Sequence, residues 1–246
     1  MIRIDHLSYA YHKNKPVLHD VSFNIEQGKI IAVLGKNGIG KSTLLSCIAN
    51  GETGVFEDEM PLNKMSLRER AKRINYVPQL SFAQSLTVYE TISLGRIPYY
   101  LFTPSKEDKE IIDQTIATLG LESIVLSPLE EISGGERQKT LLGVGLAADS
   151  DILLLDEPTN NLDVEAKTNL FKIIVEKVKT LQKTVIFSTH DLTIAYQYAD
   201  TFLLLHEDGS VVYIDKKDLK EEHLKRLYGD AIKIVQHEGD TFISYN

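Results

Sequence analysis

Residues 35 to 43, Gly35-Lys36-Asn37-Gly38-Ile39-Gly40-Lys41-Ser42-Thr43, constrain this chain more than any other stretch. They match the pattern G-x-x-x-x-G-K-[ST], with Gly35, Gly40, Lys41 and Ser42 at the required positions. Glycines let the backbone turn tightly and bring its N–H groups against a phosphate chain. Lys41 adds a point positive charge at the β/γ-phosphates. The Ser42 hydroxyl suits Mg²⁺, which takes few protein ligands and keeps several waters. The flanks agree. Ile30-Ile31-Ala32-Val33-Leu34 is an apolar run that predicts a buried strand, and Leu44, Leu45, Ile48 and Ala49 predict one face of a helix. A helix starting at the loop points its free N–H groups and its dipole at the anion.

The rest of the chain alternates in the same way. Ile2-Arg3-Ile4 and Val21-Ser22-Phe23-Asn24-Ile25 read as half-buried antiparallel strands, separated by a polar turn over Tyr9 to Pro16. Ser66 with Glu69 caps a short helix, and a strand over 74–79 stops at Pro78. Residues 80–150 carry helical periodicity only. Buried strands are then expected at 152–155 and 184–188, with a helix between them, and further strands at 201–205 and 211–214. Strands alternating with helices imply an α/β fold with a mainly parallel sheet covered on both faces.

Composition bounds the function classes. The 246 residues suffice for one large domain with an ample core. The net charge of −8, without a Lys/Arg-rich block, argues against a nucleic-acid partner. Cys47 is the single cysteine, which excludes an intramolecular disulfide and fits a small buried apolar role. The N-terminal residues lack the apolar core of a signal peptide, and no run is long enough to span a membrane.

Two further segments carry chemistry. Ile152 to Leu155 ends in Asp156-Glu157, placing one carboxylate to hold Mg²⁺ and the next to accept a proton from an attacking water. Ser133-Gly134-Gly135-Glu136 is a capping box opening a helix. Paired glycines there cost helix stability, so bare backbone is favoured for another reason, a second anion site at a helix N-terminus.

At this point the chain resembles a family, the ATP-binding subunits of ATP-binding-cassette transporters, over essentially its whole length. Residues 35–43 resemble the family's Walker A and 152–157 its Walker B. Ser133 to Glu136 is similar to its signature, with Glu136 where glutamine is usual. The resemblance implies an ATPase that uses ATP and Mg²⁺ on a P-loop NTPase fold. That fold has a RecA-like core, an N-terminal antiparallel β subdomain and an inserted α-helical subdomain. The expected division is 1–79 with 151–246 for the core and β subdomain, and 80–150 for the helical one. The resemblance also implies roles for Gln79, which approaches Mg²⁺ and the water, for Asn161-Leu162-Asp163 at a dimer interface, and for His190 at the γ-phosphate. Tyr11 sits where the family stacks an aromatic on adenine. Two copies, or this chain and a paralogue, would face each other head to tail, with ATP on one Lys41 loop meeting Ser133 and Gly135 of the other.

Thr87 to Tyr100 and Leu227-Tyr228-Gly229-Asp230 resemble importers of iron–siderophores, haem and cobalamin. That implies integral-membrane permease subunits, an extracellular solute-binding protein, and a place on the cytoplasmic face of the membrane. Tyr99-Tyr100-Leu101-Phe102 is the expected docking surface, with packing inside the helical subdomain as the alternative. Two other readings stand beside this one, an importer ATPase for another solute such as a divalent metal and a cassette driving soluble machinery of the iron–sulfur-cluster-assembly type. The loop over 50–60 is compressed relative to the family, which puts its strand pairing in question.

Overall fold

The computed structural model of the protein describes residues 1–12, 15–79, 85–160, 162–237 and 240–245. The chain opens with strands β1 (Ile2–His12) and β2 (Lys15–Ile25), then β3 (Ile30–Leu34) and helix α1 (Lys41–Asn50). Short strands β4 (Val55–Glu57) and β5 (Met60–Pro61), helix α2 (Leu67–Arg73) and strand β6 (Ile74–Val77) follow. Three helices come next, α3 (Val88–Ser93), α4 (Lys106–Leu119) and α5 (Gly134–Ala148), with a 3₁₀ turn over Leu94–Tyr99. Then β7 (Ile152–Asp156), α6 (Val164–Leu181), β8 (Thr184–Ser188), α7 (Leu192–Tyr198), β9 (Thr201–Leu205) and β10 (Val211–Asp215) alternate. Helix α8 (Glu221–Tyr228) and the hairpin β11 (Ile232–His237) and β12 (Asp240–Tyr245) complete the chain.

The main sheet has the order β10-β9-β3-β8-β7-β6 and is parallel except at β10. Because side chains alternate across a strand, β3 divides its residues between two cores. Ile30, Ala32 and Leu34 pack with the helices that follow β6, whereas Ile31 and Val33 pack with α1 and the N-terminal strands. The second sheet, β2-β1-β4-β5, is antiparallel and joins the second of these layers. Both faces of the parallel sheet are thereby covered, as its fully apolar strands require.

Two local expectations are corrected. The polar turn expected over Tyr9 to Pro16 belongs mostly to strands, since Tyr9 pairs with Leu18 and His12 with Lys15. Bulges along that ladder, with left-handed backbone at His6 and Asp20, break the clean alternation that periodicity reads. The compressed 50–60 loop still pairs, through β4 against Ile2 to Ile4 of β1. Cys47 is buried, and burial pushes its thiol up to about 12, which keeps it protonated and inert.

Helix α5 packs unusually close to its neighbours. A Cβ built at Gly95 would lie 2.3 Å from the Val144 carbonyl oxygen, a backbone atom that cannot swing away. Gly95→Ala is therefore expected to destabilise the fold by about 3 kcal/mol, the upper end of the overpacking range. Chemical denaturation of the purified protein checks this.

Candidate nucleotide site

Every candidate residue of the central cluster leaves the C-terminal edge of the parallel sheet, where ligands of open α/β sheets bind. The glycine loop follows β3, Gln79 follows β6, Asp156 ends β7 with Glu157 directly after it, and His190 follows β8. The ladder aligns them, because Val77 pairs with Leu155 and Asp156 with Ser188. The result is a cavity of about 590 Å³, lined by Tyr11, Val17, Asn37, Gly38, Gly40, Lys41, Ser42, Thr43, Gln79, Glu157 and His190. That volume is in the range of small-molecule sites.

The loop wraps its own lysine. Lys41 is 5% exposed, and its Nζ donates to the carbonyls of Gly35 at 2.9 Å and Lys36 at 3.2 Å. An ammonium has three protons, so one remains for a ligand. Burial lowers the Lys41 pKa, and the negative charges of Glu157 and Asp156 oppose that shift. Gly40 has φ +118°, and a Cβ there would lie 2.5 Å from Val17 Cγ1, so only glycine fits at the start of α1. Of the remaining loop residues, Lys36 is exposed and pairs with Glu207 at 2.5 Å. The Ile39 side chain turns to the core beside Gly35, and Thr43 Oγ1 lies 3.1 Å from the Tyr11 hydroxyl. Tyr11 itself is 63% exposed and packs edge-on against Tyr9, leaving ring surface open to the cavity.

The acids are held by residues that motif reading did not single out for the purpose. Asp156 is buried, and its two oxygens accept from Ser188 Oγ at 2.5 Å and Tyr76 Oη at 3.2 Å. Burial, with the Asp156 charge beside it, pushes the Tyr76 phenol up, so it remains a donor. Glu157 has φ +48°, a conformation that costs on the order of 1–3 kcal/mol in a non-glycine residue and recurs at active sites. Its N–H donates to Ser188 Oγ at 2.9 Å. Its carboxylate accepts from Gln79 Nε2 at 3.1 Å and Asn160 Nδ2 at 2.5 Å, with His190 Nδ1 at 3.8 Å. Three side chains, Gln79 after β6, Asn160 in the turn after β7 and His190 after β8, thus converge on one carboxylate. Ser188 closes an apolar strand with a hydroxyl, the one sequence signal for it. Tyr76 and Asn160 carried none, because the register that aims them is tertiary.

Oxygen donors suited to Mg²⁺ are present. Asp156 retains lone pairs beyond its two hydrogen bonds, Ser42 is exposed at the cavity, and the Gln79 amide donates through nitrogen, leaving its oxygen available. Among the described residues no three His, Cys, Asp or Glu side chains gather into a cation cage.

The second group of candidates lies elsewhere. Ser133 caps α5, accepting from the Glu136 N–H at 3.2 Å while the Glu136 carboxylate accepts from the Ser133 N–H at 2.9 Å and hydroxyl at 2.7 Å. Those bonds hold the Glu136 carboxyl below its usual range. Asp163 caps α6, accepting from the Ala166 N–H at 2.8 Å. Leu162 approaches Gly135, bringing these two turns side by side. Ser133, Gly134, Gly135, Glu136 and Asp163 do not line the cavity of their own chain. Asn161 lies outside the described residues.

The expected docking tetrad divides. Tyr99 Oη donates to the Ala148 carbonyl at 2.7 Å, and the Arg96 guanidinium sits 3.7 Å from its ring centre, so Tyr99 belongs to the packing. Leu101 and Phe102 are 78% and 94% exposed.

The chain is similar to known proteins over most of its length. Residues 18–160 match the family described as ABC transporter. The chain is 35% identical over 235 residues to an uncharacterized ABC transporter ATP-binding protein of Methanocaldococcus jannaschii, covering 93% of this chain and 91% of that one. It is 32% identical to the petrobactin import ATP-binding protein YclP of Bacillus subtilis, covering 86% and 85%. It is 34% identical to the zinc transport system ATP-binding protein TroB of Treponema pallidum, covering 94% and 88%. In fold it is similar to a structure of a metal-chelate type ABC transporter, with a TM-score of 0.81 and 24% identity over 100% of this chain and 96% of the other. By sequence and by fold, this chain belongs to the ATP-binding, ATP-hydrolysing cassettes of the ABC transporter family.

Proposed function

We propose that this cassette powers a membrane importer of metal chelates of the siderophore, haem or cobalamin type, working as a pair of ATPase subunits. The observation that carries the pairing is the separation just described. Ser133 and Gly134 of the signature turn are exposed, and no residue of that turn lines the cavity of its own chain, so a second copy, or a paralogue, completes each site in head-to-tail symmetry. In this reading the loop from Gly35 to Thr43 and the α1 N-terminus hold the ATP phosphates, and Tyr11 lies against the base. Lys36, Asn37, Gly38 and Ile39 shape that loop, while Ser133, Gly134, Gly135, Glu136 and Asp163 of the opposing subunit close over the γ-phosphate. Mg²⁺ on Asp156, Ser42 and Gln79 would neutralise charge on the β- and γ-phosphates. Glu157 takes the proton of the attacking water. Gln79 and Asn160 orient its carboxylate, and His190 reaches the γ-phosphate. Loss of the γ-phosphate removes charge from the interface and opens the pair, a ligand-driven two-state switch.

The relatives' names support import. Petrobactin and achromobactin transport ATPases are among them. Manganese and zinc transport ATPases match at similar identity, and they favour the second reading, import of a divalent metal. Among the described residues no helix is long and apolar enough to cross a membrane. In the importer reading the chain acts on the cytoplasmic face, through permease subunits and an external solute-binding protein. Leu101 and Phe102 offer the contact, and Ile97 on the preceding 3₁₀ turn and Leu67 at the start of α2 are 52% and 76% exposed. Arg68 Nε ties these elements together through the Pro98 carbonyl at 2.6 Å.

The test is purification with ATP from detergent-solubilised membranes of the host. A polytopic membrane protein is expected to accompany the wild-type chain. Leu101→Ser with Phe102→Ser is expected to lose that partner while binding ATP as before. Only soluble partners would overturn the importer reading. A solute-binding protein recovered with the complex separates chelate from metal ion by direct titration.

A further inference from the structure

We propose that Tyr228, the last residue of α8, is a positioning residue for the phosphate loop and sets the ATP affinity of the site through Gly35 and Lys41. The backbone N–H of Gly35 donates to Tyr228 Oη at 2.8 Å, across 193 residues of sequence. Gly35 is buried, so that N–H requires an acceptor. The same residue's carbonyl accepts from Lys41 Nζ at 2.9 Å. One peptide position is therefore held on its N–H side by the hydroxyl and in turn holds the ammonium that meets phosphate. The opposite side is closed, since a Cβ at Gly35 would lie 2.9 Å from the Leu205 carbonyl oxygen.

Helix α8 is a rigid mount for the hydroxyl. Leu224 and Leu227 are buried in the core, the Gly229 N–H closes the last turn on the Lys225 carbonyl, and the Glu221 carboxylate accepts from the Ile234 N–H of β11. A ring kept for packing alone needs no hydroxyl aimed at a loop amide. The sequence feature around Leu227-Tyr228-Gly229-Asp230 thereby acquires a role at the nucleotide site.

The inference rests on the phosphate-loop reading, and the experiment separates the two. Steady-state ATP hydrolysis by the purified full-length chain is measured over an Mg-ATP titration for wild type, Tyr228→Phe and Lys41→Ala. Tyr228→Phe keeps the ring and deletes the acceptor. Its KM is expected to rise about fivefold, the worth of one net hydrogen bond, with kcat within about twofold. A packing role would act oppositely, because a less stable fold lowers the active fraction and so kcat, without moving KM. The same loss is read on folded molecules alone as a smaller Mg-ATP-induced rise in Tm. An unchanged KM with an unchanged Tm rise would overturn the proposal. If Lys41→Ala loses ATP binding while Tyr228→Phe matches wild type, only the role of Tyr228 falls. If Lys41→Ala binds ATP as wild type does, the phosphate-loop reading falls and this inference with it.

Discussion

Glu157→Gln is expected to cut ATP hydrolysis at least about a hundredfold while leaving ATP binding intact, because a positioned general base contributes about 10²–10⁴-fold. The substitution is close to isosteric, and the new side chain's oxygen can still accept from Gln79 and Asn160 as the carboxylate does. The φ of +48° that aims residue 157 is a backbone property that glutamine inherits. What disappears is the negative charge and basicity at the meeting point of Gln79, Asn160 and His190. If the proposed pairing holds, blocking hydrolysis is expected to keep the γ-phosphate in the interface and make the paired state accumulate. Size-exclusion chromatography with and without Mg-ATP, beside a phosphate-release assay, checks both halves. Wild-type turnover in this variant would remove Glu157 from the reaction.

Lys41→Ala is expected to weaken ATP binding by about a hundredfold, since the one hydrogen bond its ammonium has left for a charged phosphate contributes about 1.5–3 kcal/mol and the positive charge is lost with it. The Gly35 and Lys36 carbonyls also lose their shared donor, so the loop loses its internal tie as well as its charge. Equilibrium titration with ATP measures the loss. A pH series gives a second signature. Burial lowers the Lys41 pKa in the nucleotide-free protein, and the protonated form is the one that binds phosphate. Affinity should fall as pH climbs through that lowered value, and Lys41→Ala should lack this decline.

Much of the site could be read from the chain because its parts are local. The glycine loop, the acid pair after an apolar strand and the capping box at Ser133 each depend on neighbours within a few residues. The helix caps follow the same rule, and Ser66, Thr87, Ser105 and Ser133 all close capping boxes. The strand residues from Tyr9 to His12 and from Lys15 onward escape a period-of-two reading because bulges interrupt their ladder. Tyr99 and Phe102 read alike as exposed aromatics, and only packing against Arg96 and Ala148 tells them apart.

The sequence alone determined which groups stand in which order, a glycine loop closed by Lys41, a carboxylate pair after an apolar strand and a capping box at paired glycines, and that strands alternate with helices. Tertiary structure decided which groups act on one another. Parallel pairing of β7 with β8 sets Ser188 against Asp156, and the pairing of β6 with β7 brings Gln79 to Glu157. The packing of α8 delivers Tyr228 to Gly35, and the placement of α5 leaves its N-terminal turn out of the cavity lining. These contacts join residues as many as 193 positions apart. They are set by strand register and by burial of apolar faces, which belong to the whole fold and to no single stretch of it.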